Sequence, residues 1–332
     1  MPGAGRILAL ALVAALAACA PGYNLPGPAV TTATIENREL VTTDGQRLPM
    51  RVWTPEGPVR AVILALHGFN DYSTAFEMPA RHWATRGVAT YAYDQRGFGD
   101  APDRGLWPGA TAYAGDAATA LRLVRSRHPD TPVYLLGESM GGAIAMVTMT
   151  EPRPPAVDGV ILVAPAVWGR QTMGFAKRWA LSLVSTTMPW LSLSGSGLGF
   201  RPSDNDDMLR AFSRDPRVIK ETRADTVRGL VDLMDDALGA SSRFGARALV
   251  LYGEKDQIVP REPTALMLSR LPGAADRQRV AVYPDGWHML LRDLQAETVW
   301  NDILGWIGDP VAPLPSGADR DARARLRSDR TS

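Results

Sequence analysis

The chain has 332 residues, with 36 Lys and Arg against 35 Asp and Glu, so its formal net charge is +1. Balanced charge argues against a concentrated basic surface for nucleic-acid phosphates, and a composition 45% hydrophobic with nine Trp excludes a disordered or fibrous chain. The single cysteine, Cys19, excludes both an intramolecular disulfide and a cysteine-based zinc site.

At the amino terminus, Arg6 precedes an unbroken apolar run of twelve residues, Ile7 to Ala18. A membrane-spanning helix needs about 20 apolar residues, so this run suits the core of an export signal. The segment Leu16-Ala17-Ala18-Cys19 resembles the lipobox of a bacterial lipoprotein. That resemblance implies a signal over residues 1–19, lipidation of Cys19, and anchoring to a membrane of the bacterial cell envelope, periplasm-facing in a Gram-negative cell. An ordinary secretory signal with an incidental Cys19 is the alternative. Residues 20–34, rich in Pro, Gly and Thr, read as a flexible tether.

From Ile35 onward short β-rich runs alternate with helical stretches, the pattern of a mostly parallel sheet covered on both faces. Eight strands are expected, over residues 36–42, 47–54, 61–66, 88–93, 133–136, 159–163, 248–252 and 280–283. Their near-continuous apolar character suits strands buried on both sides. Helices are expected over 74–85, 111–127, 140–150, 264–271 and 295–307. The stretch 165–247 is far too long for an ordinary α/β connection and reads as a helical cap inserted into a domain spanning 35–308. Trp168 and Trp179 lie eleven residues apart, close to three helical turns, so they are expected to share a face, and Pro189 to end that helix before Trp190. These rings are expected to pack the cap onto the main domain, a lipid-facing surface being the other reading. The tail, 309–332, carries five Arg and four Asp and few apolar residues, and is expected to be disordered.

The strongest chemical signal is Gly137-Glu138-Ser139-Met140-Gly141, between an expected strand and an expected helix. A serine on so sharp a turn needs neighbours without side chains, and the turn lifts its hydroxyl to the carboxyl edge of the sheet. A serine hydroxyl needs a general base to become a nucleophile. Of the four histidines, His82 falls mid-helix, His128 in a polar turn, and His67 at a strand end where it is expected to shape a loop. His288 follows the last expected strand, on a loop that reaches the same edge, and is the candidate base. Asp256, just after the strand 248–252, is the candidate carboxylate that orients it. Glu254 is the local alternative, and Asp225, Asp232 and Asp235 are weaker ones. The backbone N–H groups of Met140 and Phe69 are the candidate oxyanion donors, with Gly68 allowing close approach.

The segments His67-Gly68-Phe69, Tyr93-Asp94-Gln95-Arg96-Gly97-Phe98-Gly99, 137–142 and 253–256, together with His288, resemble the α/β-hydrolase superfamily. They are most similar to its monoacylglycerol lipase and lysophospholipase branch. The resemblance implies an α/β-hydrolase fold with a helical cap, and a triad of Ser139, Asp256 and His288. It also implies an oxyanion hole at Phe69 and Met140, with no metal or organic cofactor. The chain departs at Asn70-Asp71-Tyr72, where that branch has Gly-Glu-His, so the departure touches the oxyanion loop and the cap contacts. The expected function is a serine ester hydrolase acting on a single-chain acyl-ester lipid, a monoacylglycerol or lysophospholipid. A short-chain esterase or a serine aminopeptidase would use the same machinery. A non-catalytic binding lipoprotein would have no need of all three residues. A peptidase would hold its substrate's ammonium with acidic residues, whereas Asp204, Asp206 and Asp207 look like a helix-start cluster.

Overall fold

The computed structural model describes residues 22–195, 199–273 and 277–327. Cys19, the rest of the expected signal, and residues 328–332 lie outside the described residues. The strands are β1 Thr34–Glu36, β2 Glu39–Val41, β3 Arg47–Trp53, β4 Ala61–Leu66, β5 Val88–Tyr93, β6 Val133–Glu138, β7 Gly159–Val163, β8 Ser192–Ser194, β9 Glu221–Arg223, β10 Ala248–Gly253 and β11 Gln278–Tyr283. The α-helices are α1 Glu77–Ala84, α2 Ala110–Arg127, α3 Met140–Thr148, α4 Phe175–Thr187, α5 Asp206–Arg214, α6 Ala224–Ala240, α7 Arg261–Arg270, α8 Ala296–Gly308 and α9 Ala322–Arg327.

Every residue of β4, β5, β6, β7 and β10 is buried, as near-continuous apolar runs require when helices cover both faces. These strands lie within one sheet of order β1-β2-β3-β5-β4-β6-β7-β10-β11. Pairing is antiparallel from β1 to β5 and parallel from there on. One core fills the face under α2, α3, α6 and α7; Trp83 of α1 and Trp300 and Trp306 of α8 anchor the other. This is the α/β-hydrolase architecture, with nine strands in place of the expected eight. The extra strand arises because the run 36–42 is broken at Asn37 and Arg38. Both take left-handed backbone angles (φ 48° and 61°), the geometry of a tight hairpin, and fold β1 back on β2.

The long connection from β7 to β10 carries α4, β8, α5, β9 and α6, with β8 and β9 paired as a separate ribbon. Its last helix belongs to the main body. Leu233, Ala237 and Leu238 of α6, followed by Phe244, are buried in the same core as α3. The expected packing of the cap tryptophans fails. Trp168 precedes α4 and stacks under Lys177, Trp179 is 60% exposed, and Trp190 lies just beyond the helix with 47% exposed. Phe175, Trp179 and Leu183, four residues apart, form an apolar stripe on α4 open to solvent.

Both expected floppy ends are also corrected. Within the tether, the Gly22 N–H donates to Asp225 Oδ2 (2.8 Å), the Asn24 N–H to the Trp107 carbonyl (3.0 Å) and the Val30 N–H to the Thr43 carbonyl (2.8 Å). The tail is packed through residue 327: Leu314, Ala318, Ala322 and Leu326, each four residues from the next, are all buried. Its charges pair with the domain, Asp319 with Arg279 and Arg325 with Glu254. The Ala318 carbonyl accepts from the Val282 N–H (2.9 Å), so the tail covers the open edge of β11. Among the described residues no helix is long and apolar enough to cross a membrane.

Candidate active site

Ser139 stands between β6 and α3 with φ 54° and ψ −115°, a backbone conformation that costs a non-glycine residue about 1–3 kcal/mol. The surroundings hold it there. Its N–H donates to the Val163 carbonyl and its carbonyl accepts from the Ala166 N–H, each at 2.9 Å. A Cβ on Gly137 would lie 2.2 Å from the Gly141 carbonyl oxygen, and one on Gly141 2.0 Å from that of Leu66, so neither position admits a side chain. Strand, strained turn and helix start are thus locked by contacts that only this Gly-rich sequence permits.

The structure brings His288 to this serine. Its Nε2 lies 2.9 Å from Ser139 Oγ, and its Nδ1 lies 2.8 Å from Asp256 Oδ2. With the Nδ1 proton directed at the carboxylate, Nε2 is left to accept the serine's proton. The other oxygen of Asp256 accepts the N–H groups of Ile258 (2.8 Å) and Val259 (2.9 Å), which fixes the carboxylate plane. The loops bearing acid and base are zipped together: the Glu254 N–H donates to the Tyr283 carbonyl, and that of Lys255 to Gly286, each at 2.9 Å. Burial opposes a charge on His288, but the charge and hydrogen bond of Asp256, aided by the Glu138 charge, outweigh it and hold the imidazole above its ordinary value.

The competing residues lie elsewhere. Glu254 pairs with Arg325, Asp225 with Arg223, and Asp232 and Asp235 with Arg170. His82 meets Asn301 and His128 meets Tyr91. His67 shapes the loop after β4. Its Nδ1 donates to the Gly68 carbonyl (2.8 Å) and its Nε2 accepts the Gln95 N–H (3.0 Å). Burial holds this imidazole below its ordinary value, in keeping with the neutral form that such a pair of bonds demands. With the Gly68 carbonyl tied back, the planar trans peptide turns the Phe69 N–H the opposite way. A Cβ on Gly68 would lie 3.4 Å from Ser139 Cβ, so this loop passes directly over the nucleophile. Met140 N begins α3, where the first amides of a helix have no intrahelical acceptor.

Arg292 has no role in the sequence reading, although it completes the floor of the site. Its Nη2 lies 2.6 Å from Asp71 Oδ2 and 3.4 Å from Glu138 Oε2, with all three side chains buried. Burial raises the Glu138 carboxyl above its ordinary value, against the Arg292 charge. The available signal was a charge directly after the apolar Met289-Leu290-Leu291, in a segment where a lone exposed arginine would be out of place. The cluster ties the residue before the nucleophile to the oxyanion loop and to the loop of the base. Among the described residues no group of three or more His, Cys, Asp or Glu is placed to hold a metal ion.

A family model described as "Serine aminopeptidase, S33" matches residues 57–295. The monoacylglycerol lipase of Mycolicibacterium smegmatis is 24% identical over 290 residues, covering 84% of this chain and 99% of that protein. The human monoglyceride lipase is 27% identical over 281 residues, covering 82% of this chain and 90% of that protein. Among solved structures, a soluble variant of the Saccharomyces cerevisiae monoglyceride lipase, bound to a substrate analog, superposes with a TM-score of 0.70. It shares 20% identity and covers 87% of this chain and 99% of that one, a likeness of fold.

Proposed function

Because the chain belongs to the α/β-hydrolase family matched by that model, we propose that it is a serine ester hydrolase cleaving the acyl ester of a single-chain lipid, a monoacylglycerol or lysophospholipid. The reading is carried by the relay from Ser139 Oγ through His288 to Asp256, with links of 2.9 and 2.8 Å. Ser139 attacks the ester carbonyl while His288 Nε2 takes its proton, and Asp256 stabilises the imidazolium through Nδ1. The N–H groups of Phe69 and Met140 receive the developing oxyanion. His288 then protonates the leaving alcohol, and in a second cycle it activates the water that frees the fatty acid. The lipase names of the relatives and the open apolar stripe on the cap support an acyl-chain substrate.

The family description favours a second reading, cleavage of an N-terminal peptide bond. Against it stand the acidic residues of the cap, which already have partners. Asp204 accepts the Leu294 N–H, Asp206 pairs with Arg201, and Asp207 with Arg210, while Asn205 caps α5. The test is fatty-acid release by the full-length protein from long-chain monoacylglycerol and lysophosphatidylcholine, with Ser139→Ala as control. Release lost in the variant is the expected result. Fluorophosphonate labelling without release from either lipid would overturn the lipid reading in favour of short esters or peptides; no labelling would leave a binding protein.

In this reading the enzyme is exported, lipidated at Cys19 and held at a membrane of the bacterial envelope. The sequence Leu16-Ala17-Ala18-Cys19 supports it, as does the course of the chain. Gly22 is pinned to Asp225, whose own N–H donates to the Pro189 carbonyl (3.1 Å), so the anchor would leave the domain beside the exposed Trp190. Palmitate labelling that survives Cys19→Ser would overturn lipidation at this residue.

A further inference from the structure

Of the amides flanking His288, that of Met289 is held directly from the cap and that of Trp287 through Asp293, which a cap serine grips. The Trp287 N–H donates to Asp293 Oδ2 at 2.8 Å, and the other oxygen of that carboxylate accepts from Ser203 Oγ at 2.6 Å. The Met289 N–H donates to the Pro202 carbonyl at 2.9 Å. Two further bonds close the seam: Asn205 Nδ2 to the Arg292 carbonyl (3.0 Å) and the Leu294 N–H to Asp204 Oδ1 (2.9 Å). Ser203 is fully buried, and its oxygen accepts the Asn205 N–H at 3.2 Å, which leaves its own proton for Asp293.

Residues 202–205 come from the inserted segment, while 287–294 form the irregular loop that carries the base. A loop of this kind has no strand or helix ladder to fix it, and a base displaced by about 1 Å loses catalytic efficiency steeply. Asp256 holds the far side of the imidazole ring but not the backbone from which the ring hangs. We propose that Ser203 and Asp293 are positioning residues, a strap by which the seated cap sets His288 at working distance from Ser139. The strap rests on the triad reading and is independent of which lipid is cleaved. Catalytic efficiency thereby depends on the cap through the base loop as well as through any contact with substrate.

The test uses the full-length protein, p-nitrophenyl acetate as a substrate too short to reach far into the cap, and the rate of inactivation by a fluorophosphonate. Ser203→Ala is expected to lower kcat about tenfold, the worth of a hydrogen bond to a charged group, with KM within twofold and inactivation slowed in parallel. Ser203→Thr, which keeps the hydroxyl, is expected to restore both rates to within twofold of wild type. Asp293→Asn, which loses the charge and one acceptor, is expected to fall with Ser203→Ala. If the alanine variant fails to fold, Ser203→Cys, close in size with a weaker donor, is expected to show an intermediate loss. Full kcat and inactivation rates in Ser203→Ala or Ser203→Cys, a loss confined to KM, or no rescue by threonine would overturn the proposal. A wild-type protein that neither turns over the ester nor reacts with the probe would instead bring down the triad reading, and the strap with it.

Discussion

Replacing Arg292 by Met tests whether the charge cluster under the site is a coupled unit. The side chains of Arg292, Asp71 and Glu138 expose only 9%, 4% and 3% of their surface. Methionine matches the aliphatic stem of arginine but leaves two carboxylates buried without their cation. Removing one partner of such a buried pair costs about 3–5 kcal/mol, a large part of the stability of an ordinary domain. The loss has a pH signature. Burial already raises the Glu138 carboxyl and the Arg292 charge opposes that rise, so in Arg292→Met it rises further. A carboxyl raised in the folded state favours folding below its unfolded pKa, and that contribution disappears as pH climbs through the folded value. The deficit is therefore expected to be smaller at pH 5 than at pH 8. Urea unfolding followed by tryptophan fluorescence at both pH values measures it. The triple variant Asp71→Asn/Glu138→Gln/Arg292→Met, in which no charge of the cluster remains, is expected to recover most of the lost stability. A single variant within about 1 kcal/mol of wild type, or a triple variant no more stable than the single, would refute the reasoning.

Four further outcomes follow from the geometry. Asp256→Asn leaves the shape intact but removes the carboxylate that selects the His288 tautomer, so kcat on a short ester is expected to fall about 10³–10⁴-fold; a loss below tenfold shows that another group orients the base. Because His288 must be neutral to accept a proton and is held above its ordinary 6.5, kcat/KM is expected to rise with pH through a midpoint above that value. Glu138→Gln removes one of the charges that raise it, so a pH–rate profile with an unshifted or higher midpoint contradicts this account. Leu326→Ala, at a side chain 4% exposed in the packed tail, is expected to cost about 2–3 kcal/mol in urea unfolding; no change in midpoint means the tail does not stabilise the domain.

The parts of the fold legible in the sequence are those with a local signature. The apolar runs of β4 to β7 and β10 announce strands buried on both faces. Gly137 and Gly141, two residues either side of Ser139, mark in the sequence itself a turn that admits no side chains there. Asp256 and His288 stand in the loops that follow β10 and β11, so the topology of a parallel sheet brings them to the edge where Ser139 stands. Arg292 and Asp71, by contrast, are 221 residues apart. Each is a plain surface residue until the fold supplies its partner, and no spacing rule links the two.

The same distinction explains the tail and the cap, which erred in opposite directions. In the tail, Arg and Asp outnumber apolar residues, and composition reads as solvation. Yet Ala322 and Leu326, four residues apart on α9, share a buried face, Leu314 and Ala318 are buried in the turns before it, and the charges between them meet Arg279 and Glu254 on the domain. In the cap, Phe175, Trp179 and Leu183 show the same four-residue period, and apolar character reads as core. Helical periodicity states which side chains share a face and carries no information about what lies opposite it. For the tail the opposite surface was β11, the edge strand whose Val282 N–H donates to the Ala318 carbonyl. For α4 no protein surface stands there among the described residues, so the stripe stays open at Trp179. Periodicity identified a buried face only where the body of the domain had an unfilled edge to receive it.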